Sequence, residues 1–159
     1  MEMSICCIGA AILLGISWIG ASRVSLEPAA FVATSPCDQI PRSMLAIPAT
    51  ADCEMIQWEL ALYRDPRNQN PTNYKLQFTY GRSKPSTTDF INGIRGLKEG
   101  PWAVVKEPAK TVYRLNPVAS EPSISFVRLD EKVLHLLDAD GKLMIGHGGW
   151  SYTLNRKPQ

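Results

Sequence analysis

The feature that most constrains the fold of this 159-residue chain is an alternation of apolar and polar residues in short runs. In residues 56–63, and again in residues 74–80, nearly every second side chain is large and apolar. A period of two places those side chains on one face of a β-strand, whereas an amphipathic helix needs a period of about 3.6. No long segment shows the helical period, so we predict an all-β protein.

Turn-forming residues divide these runs at a spacing of about ten residues, which is typical of all-β chains. The clearest turn is 138–142, in which Gly141 is able to take a positive φ. Further strands are predicted at 90–94, 100–105, 111–115, 123–129, 133–137, 143–145 and 150–154. About eight or nine short antiparallel strands favour a meander that closes into a small barrel, because closure removes exposed strand edges. A β-sandwich fits the same spacing and is the alternative.

The alternation also predicts which side chains form the interior. The apolar positions that should be buried are Ile56, Trp58, Leu60, Leu62, Leu76, Phe78, Leu134 and Leu136. Five aromatic residues either fill the barrel or line a cavity for a small apolar ligand. They are Trp58, Tyr74, Phe78, Trp102 and Phe126.

Residues 1–21 differ in composition from the rest of the chain. There is no charge between Ile5 and Ala21, which is typical of the apolar region of a signal peptide, and small residues predict cleavage after Ala21 or Ser22. The first residues carry Glu2 and no basic residue, so an uncleaved anchor formed by residues 5–21 is the alternative. We expect an exported protein of the periplasm or cell envelope, which contacts a membrane only if this segment is retained.

Residues 22–40 are predicted to be a linker, and the folded domain is predicted to span residues 41–159. Pro28, Pro36 and Pro41 interrupt the segment, and small and polar residues fill it without a period.

Two cysteines remain in the chain once the apolar run, with Cys6 and Cys7, is removed. Cys37 and Cys53 are most simply paired in one disulfide, because an exported domain folds in an oxidising compartment. Such a bond closes a loop of about 16 residues. Two free, partly buried thiols are the alternative.

Residues 48–56 lead through Cys53 into the first long strand and are the most informative place to look for a metal site. Thr50 occupies the position that would complete a Cys-x-x-Cys pair, so Cys53 has Met55 as its nearest soft neighbour. Cys37 and Met44 could join from the preceding segment. Thiolate and thioether ligands favour copper, which makes Cys53 and Met55 the candidate metal ligands. We expect no other cofactor.

The sequence lacks the common motifs of catalysis. It has no Gly-x-Ser-x-Gly elbow, no His-Glu-x-x-His and no Gly-rich phosphate loop. His135 is predicted to face outward on a strand and His147 to lie in a turn. The formal net charge is +2 and the basic residues are scattered, which argues against a nucleic-acid partner. We therefore predict a protein that is not an enzyme.

Five short motifs occur in an order that resembles the N-terminal domain of the NlpE family, which are bacterial envelope lipoproteins tied to copper resistance and surface-stress sensing. The motifs are Ala51-Asp52-Cys53, Ile56 to Tyr63, Gly100-Pro101-Trp102, Val112-Tyr113-Arg114-Leu115 and Leu134 to Lys142. Together they span about residues 48–145, most of the chain that follows the predicted signal peptide.

The resemblance implies a lipocalin-like barrel and a non-catalytic role in envelope or copper-stress sensing or homeostasis, with envelope proteins as partners. The family has a Cys-x-x-Cys in this loop and a lipidated cysteine after the signal. Here Thr50 replaces the first cysteine and no lipidation motif precedes Cys37. We therefore expect weak or no specific copper binding by the oxidised protein. The alternative function is a carrier for a small apolar ligand inside the barrel.

Overall fold

The computed structural model describes residues 27–116 and 121–158, so the predictions for residues 1–21 lie outside the described residues. The described residues form an all-β closed barrel of eight antiparallel strands with one short helix, which confirms the predicted meander barrel. The elements are β1 (Ala29–Pro36), α1 (Gln39–Leu45), β2 (Met55–Arg64), β3 (Pro71–Ser83), β4 (Phe90–Lys106), β5 (Thr111–Leu115), β6 (Ile124–Arg128), β7 (Val133–Leu136) and β8 (Thr153–Arg156).

Each strand pairs with its neighbours in chain order, and β8 returns to pair with β1. The strands are unequal in length, because β1 to β4 form long ladders while β5 to β8 have only four or five residues each. The β1–β8 pairing that closes the barrel is short, and its register joins Phe31 with Arg156 and Val32 with Asn155.

The eight positions that the alternation assigned to the interior are all buried, with 7% exposure or less. In one row across four strands, Ala33 lies beside Trp58, Trp58 beside Phe78, and Phe78 beside Gly96. Two large side chains are thus flanked by two small residues, which lets the barrel interior close around the aromatic rings.

The prediction of two separate strands at 90–94 and 100–105 is wrong, because β4 runs without interruption over 17 residues. Its first part, 90–101, pairs with β3, and its second part, 102–106, pairs with β5. Gly96, which lies between the two predicted strands, makes room for the Phe78 ring, because an added Cβ would lie 2.6 Å from Cε2 of that ring.

The linker prediction is wrong over residues 29–40, because β1 belongs to the barrel and α1 follows it. The domain therefore begins before residue 41. The sequence of β1 is rich in small residues and lacks the clear alternation of β2, and its strand structure depends on pairing with β2 and β8. Helix α1 has seven residues, too few to show a helical period.

The C-terminal part differs from prediction in its strand positions. Residues 143–145 contribute only a single bridge, from Leu143 to Leu137, and β8 begins at Thr153 rather than at 150. The predicted turn at 138–142 is present. Asp138 Oδ1 accepts hydrogen bonds from the backbone N–H groups of Asp140 and Lys142, and Gly141 has a φ of 74°.

Candidate functional site

A disulfide joins Cys37 to Cys53, with a Cα–Cα distance of 5.7 Å, so the first of the two cysteine alternatives is the one found. Cys37 follows the last residue of β1, and Cys53 comes two residues before β2 begins. The Cys37 backbone N–H also donates to the Glu54 carbonyl oxygen at 3.0 Å. The bond therefore ties both ends of the segment that carries α1 to one end of the barrel. We call residues 37–53 the disulfide loop.

The disulfide loop covers the barrel interior. Met44, Leu45 and Ile47 are buried in the same hydrophobic cluster as the core of β2 and β3. Arg42 shapes the returning half of the loop, because its Nη2 donates to the carbonyl oxygens of Pro48 and Ala51. Burial of these apolar side chains makes the loop a plug at this end of the barrel, held by packing as well as by the covalent bond.

The structure gives Cys53, one of the two predicted copper ligands, no thiolate, because its sulfur is bonded to Cys37. Cys53 Sγ lies 3.8 Å from the Met55 carbonyl oxygen, a contact without a hydrogen bond since a disulfide sulfur carries no proton. Met55 is 4% exposed, and Met44 packs in the core. Within the described ranges, no group of three or more His, Cys, Asp or Glu side chains gathers in a metal-binding arrangement.

The two histidines lie apart from the disulfide loop in sequence and bond elsewhere. His135 is half-buried on β7, and its Nε2 lies 2.7 Å from the Met144 carbonyl oxygen. His147 accepts a backbone hydrogen bond from Trp150 in the turn where it was expected. These contacts give both residues a structural part in the segment between β7 and β8.

One hydrophobic cluster contains all five aromatic residues that the sequence predicted to fill or line the barrel, Trp58, Tyr74, Phe78, Trp102 and Phe126. Their exposures are 7% or less, so protein atoms cover them. The indole N–H of Trp58 donates to Ser35 Oγ at 2.9 Å, and that of Trp102 donates to the Tyr63 carbonyl oxygen at 2.8 Å. In this state the aromatic side chains fill the barrel rather than line an open cavity.

A charged pair lies among these apolar residues and was not anticipated from the sequence. Lys98 faces the interior from β4, and its ammonium group pairs with Glu121; the side-chain exposures are 7% and 38%. Nearby, the Tyr74 hydroxyl is buried without a hydrogen-bond partner among the described residues. Burial raises the pKa of Tyr74 to about 12, and the carboxylates of Glu121 and Glu99 add to the shift. The inward position of Lys98 could have been inferred from its spacing. Lys98 lies four residues before the inward-facing Trp102, and side chains an even number of positions apart on a strand share a face.

A cleft of about 960 Å³ lies at the β2–β3 hairpin. Arg64 stacks over the Trp102 ring at 4.6 Å from the ring centroid, which forms a cation–π contact at the cleft wall. Arg67 and Lys75 contribute positive charge to the cleft, and Glu99 contributes negative charge. This mixed charge favours a polar ligand over an apolar one.

A partly buried polar contact joins the disulfide loop to the C-terminal part of the barrel. The Tyr152 hydroxyl donates to Asp38 Oδ2, next to Cys37. Burial raises the pKa of Tyr152 to about 12, and the hydrogen bond to the Asp38 carboxylate adds to the shift. The loop is therefore held at its start by both the disulfide and this hydrogen bond.

Among residues 27–116 and 121–158, no helix has the length and apolar character needed to cross a bilayer. Neither a protein-family model, nor a curated protein, nor a solved structure matches this chain.

Proposed function

We propose that this protein is a non-catalytic, exported sensing module of the cell envelope, and that the Cys37–Cys53 disulfide is its sensing element. The observation that carries the proposal is the position of this bond, which closes the loop that plugs the barrel. Disulfides persist in oxidising compartments outside the cytosol, which supports export. The resemblance to the NlpE family supports a role in envelope or copper stress.

The chemistry of the disulfide loop depends on its redox state. In the oxidised state neither cysteine offers a thiolate. Reduction would leave two thiols with their Cα atoms 5.7 Å apart. Met55 follows Cys53 by two residues, and Met44 is buried in the same hydrophobic cluster as Cys37. Two thiolates are the soft ligands that Cu(I) prefers. The loop would then respond to a reducing, copper-rich condition by losing its covalent tie and gaining a metal.

The test is a Cu(I) competition against a chromogenic chelator, with thiol counting on the same samples. We expect no specific binding by the oxidised protein and about one Cu(I) per chain after reduction. Cys53→Ser should abolish the binding, whereas Thr50→Ser, a conservative change in the same loop, should leave it intact. Stoichiometric Cu(I) binding by the oxidised protein, or none by the reduced protein, would contradict the proposed sensing element.

The alternative function, a carrier for a small apolar ligand, is favoured by one observation: the buried Tyr74 hydroxyl has no hydrogen-bond partner among the residues that the structure describes. The packed aromatic interior argues against it, since a ligand would have to displace side chains. Native mass spectrometry of protein purified from its own host separates the two functions. A bound lipid supports the carrier, and envelope proteins recovered by crosslinking support the sensor. Reproducible substrate turnover would contradict both.

A further inference from the structure

The two cysteines of the disulfide differ in their exposure to solvent. Cys37 is 8% exposed and belongs to the buried hydrophobic cluster of the barrel. Cys53 is half-buried and packs against that cluster. A disulfide opens when an external thiolate attacks one of its two sulfurs, and the rate depends on access to the sulfur that is attacked. Cys53 is therefore the accessible end of this bond.

The surroundings of Cys37 oppose an attack at that sulfur. Its backbone N–H donates to the Glu54 carbonyl oxygen at 3.0 Å, and the next residue, Asp38, accepts the hydrogen bond of the Tyr152 hydroxyl. The buried Met44 belongs to the same hydrophobic cluster. A thiolate that attacked Cys37 would have to enter this cluster without its hydration shell, which costs free energy for a charged group.

The surroundings of Cys53 are polar and acidic. Cys53 lies between Asp52 and Glu54, which are both exposed. Arg82 Nε is 4.0 Å from Asp52 Oδ2, and these side chains are 63% and 77% exposed, so the pair is weak. Glu54 Oε2 accepts a hydrogen bond from the Ser83 backbone N–H at 2.9 Å. A positively charged thiol should therefore react faster here than a negatively charged one.

We propose that Cys53 is a thiol-exchange site, at which an external thiolate bonds to Cys53 Sγ and displaces Cys37. The Sγ–Sγ bond breaks, its electron pair goes to Cys37 Sγ, and that sulfur takes a proton from solvent. The product carries a mixed disulfide on Cys53 and a thiol on Cys37, which packs as a small apolar group. The leaving sulfur forms in apolar surroundings, so the exchange is slower than at an exposed disulfide.

Two sources supply the same thiolate chemistry. A small monothiol stops at the mixed disulfide on Cys53. A protein dithiol goes further, because its second thiolate attacks its own sulfur in the mixed disulfide, releases Cys53 as a thiol and becomes a disulfide itself. The dithiol thus supplies both electrons of the reduction. This inference rests on the proposed function and deepens it, since it names the chemical class that opens the sensing disulfide.

Peptide mapping tests the position of attack. The oxidised protein is treated briefly with limiting cysteamine, a monothiol, then quenched with acid and alkylated. Trypsin cleaves after Arg42 and so separates the two cysteines. We expect about tenfold more cysteamine on Cys53 than on Cys37 in the folded protein, and nearly equal labelling in urea, where both sulfurs are exposed. Equal labelling of the folded protein, or more label on Cys37, would overturn the proposal.

A pair of oppositely charged thiols tests the approach to Cys53. The rate of cysteamine, a cation, is divided by the rate of mercaptopropionate, an anion, at low salt. Asp52→Asn should lower this ratio by about twofold or more. Asp140→Asn is the matched control, because Asp140 has the same side-chain exposure, 77%, and a similarly distant partner, Lys142 at 3.9 Å. An equal ratio in the two variants would contradict the role of Asp52.

A protein dithiol separates the two sources. Thioredoxin with its second active-site cysteine replaced by serine should be trapped on Cys53, and intact thioredoxin should release both thiols. Labelling by cysteamine without trapping of thioredoxin would support the site and assign it to small thiols. A disulfide that is inert to every thiol in the folded protein would contradict the proposed sensing element as well. Attack at Cys37 would contradict this inference alone, since these measurements do not involve copper.

Discussion

The ring of Phe78 lies against the backbone of Gly96 on the neighbouring strand, so closely that no side chain fits between them. The two residues are directly paired across β3 and β4. A Cβ on Gly96 would lie 2.6 Å from Cε2 and 2.7 Å from Cε1 of the ring. Real Cβ atoms do not approach other atoms so closely, so any side chain at this position must displace the ring.

Gly96→Ala should therefore lower the free energy of unfolding by about 1–3 kcal/mol, the usual cost of overpacking a core. Gly148→Ala is the matched control, since nothing lies within 4 Å of an added Cβ there. Denaturant unfolding of both variants measures the difference. In a Phe78→Leu background the ring is replaced by a smaller side chain, so Gly96→Ala should cost less stability there. Equal stability of the two alanine variants would show that the ring moves freely.

Removing the disulfide should destabilise the barrel. Cys37 and Cys53 are separated by 16 positions. A cross-link over that length stabilises the folded state by about 3 kcal/mol, because it lowers the conformational entropy of the unfolded chain. A double variant, Cys37→Ala with Cys53→Ala, should lose about this much stability in urea unfolding. The reduced unmodified protein should behave in the same way. A loss below about 1 kcal/mol would mean that packing alone holds the disulfide loop.

The two members of the interior ion pair should respond differently to neutralisation. Lys98→Met replaces the ammonium group with an apolar group of similar length and leaves Glu121 partly in solvent, so we expect a change within about 1 kcal/mol. Glu121→Gln leaves the buried ammonium group without its counter-charge and should cost about 1–3 kcal/mol. Thermal unfolding at neutral pH compares them. A larger loss of stability for Lys98→Met than for Glu121→Gln would contradict this expectation.

Two of the buried tyrosines predict that the protein loses stability at alkaline pH. The pKa values of Tyr74 and Tyr152 are raised from 10.0 to about 12, so between these values the folded protein keeps protons that the unfolded chain has released. Their contribution to stability is complete below pH 10 and is lost as the pH rises towards 12. Tyr152→Phe should make this decline shallower. Absorbance titration of the phenolate and unfolding at several pH values check both statements.

The strand pattern was readable from sequence wherever a strand has one buried and one exposed face. Residues 56–63 and 74–80 alternate because one side meets the core. The structure extends the first by one residue at each end, to Met55–Arg64, and the second by three, to Pro71–Ser83. β1 gave no such signal. Its small residues take their conformation from pairing with distant strands, which a local pattern does not contain.

The candidate site was only partly readable. The two cysteines and the aromatic residues were recognisable by residue type, and their arrangement was not. Lys98 shares the inward face of β4 with Gly96 and Gly100, yet its partner Glu121 lies 23 positions away in a loop. The hydrogen bond from Tyr152 to Asp38 spans 114 positions. Contacts at such separations follow from the closed barrel and become visible only once the closure is known.

The short ladder between β1 and β8 sets the order in which the molecule can be completed. Every other pairing joins strands that are consecutive in the chain, so those pairings can form as the polypeptide emerges, at modest loss of chain entropy. Closure must wait for Asn155 and Arg156 to reach Val32 and Phe31. Until then a newly made chain is a curved open sheet with two unpaired edges, and the interval before the last strand arrives is when it most needs protection from its neighbours.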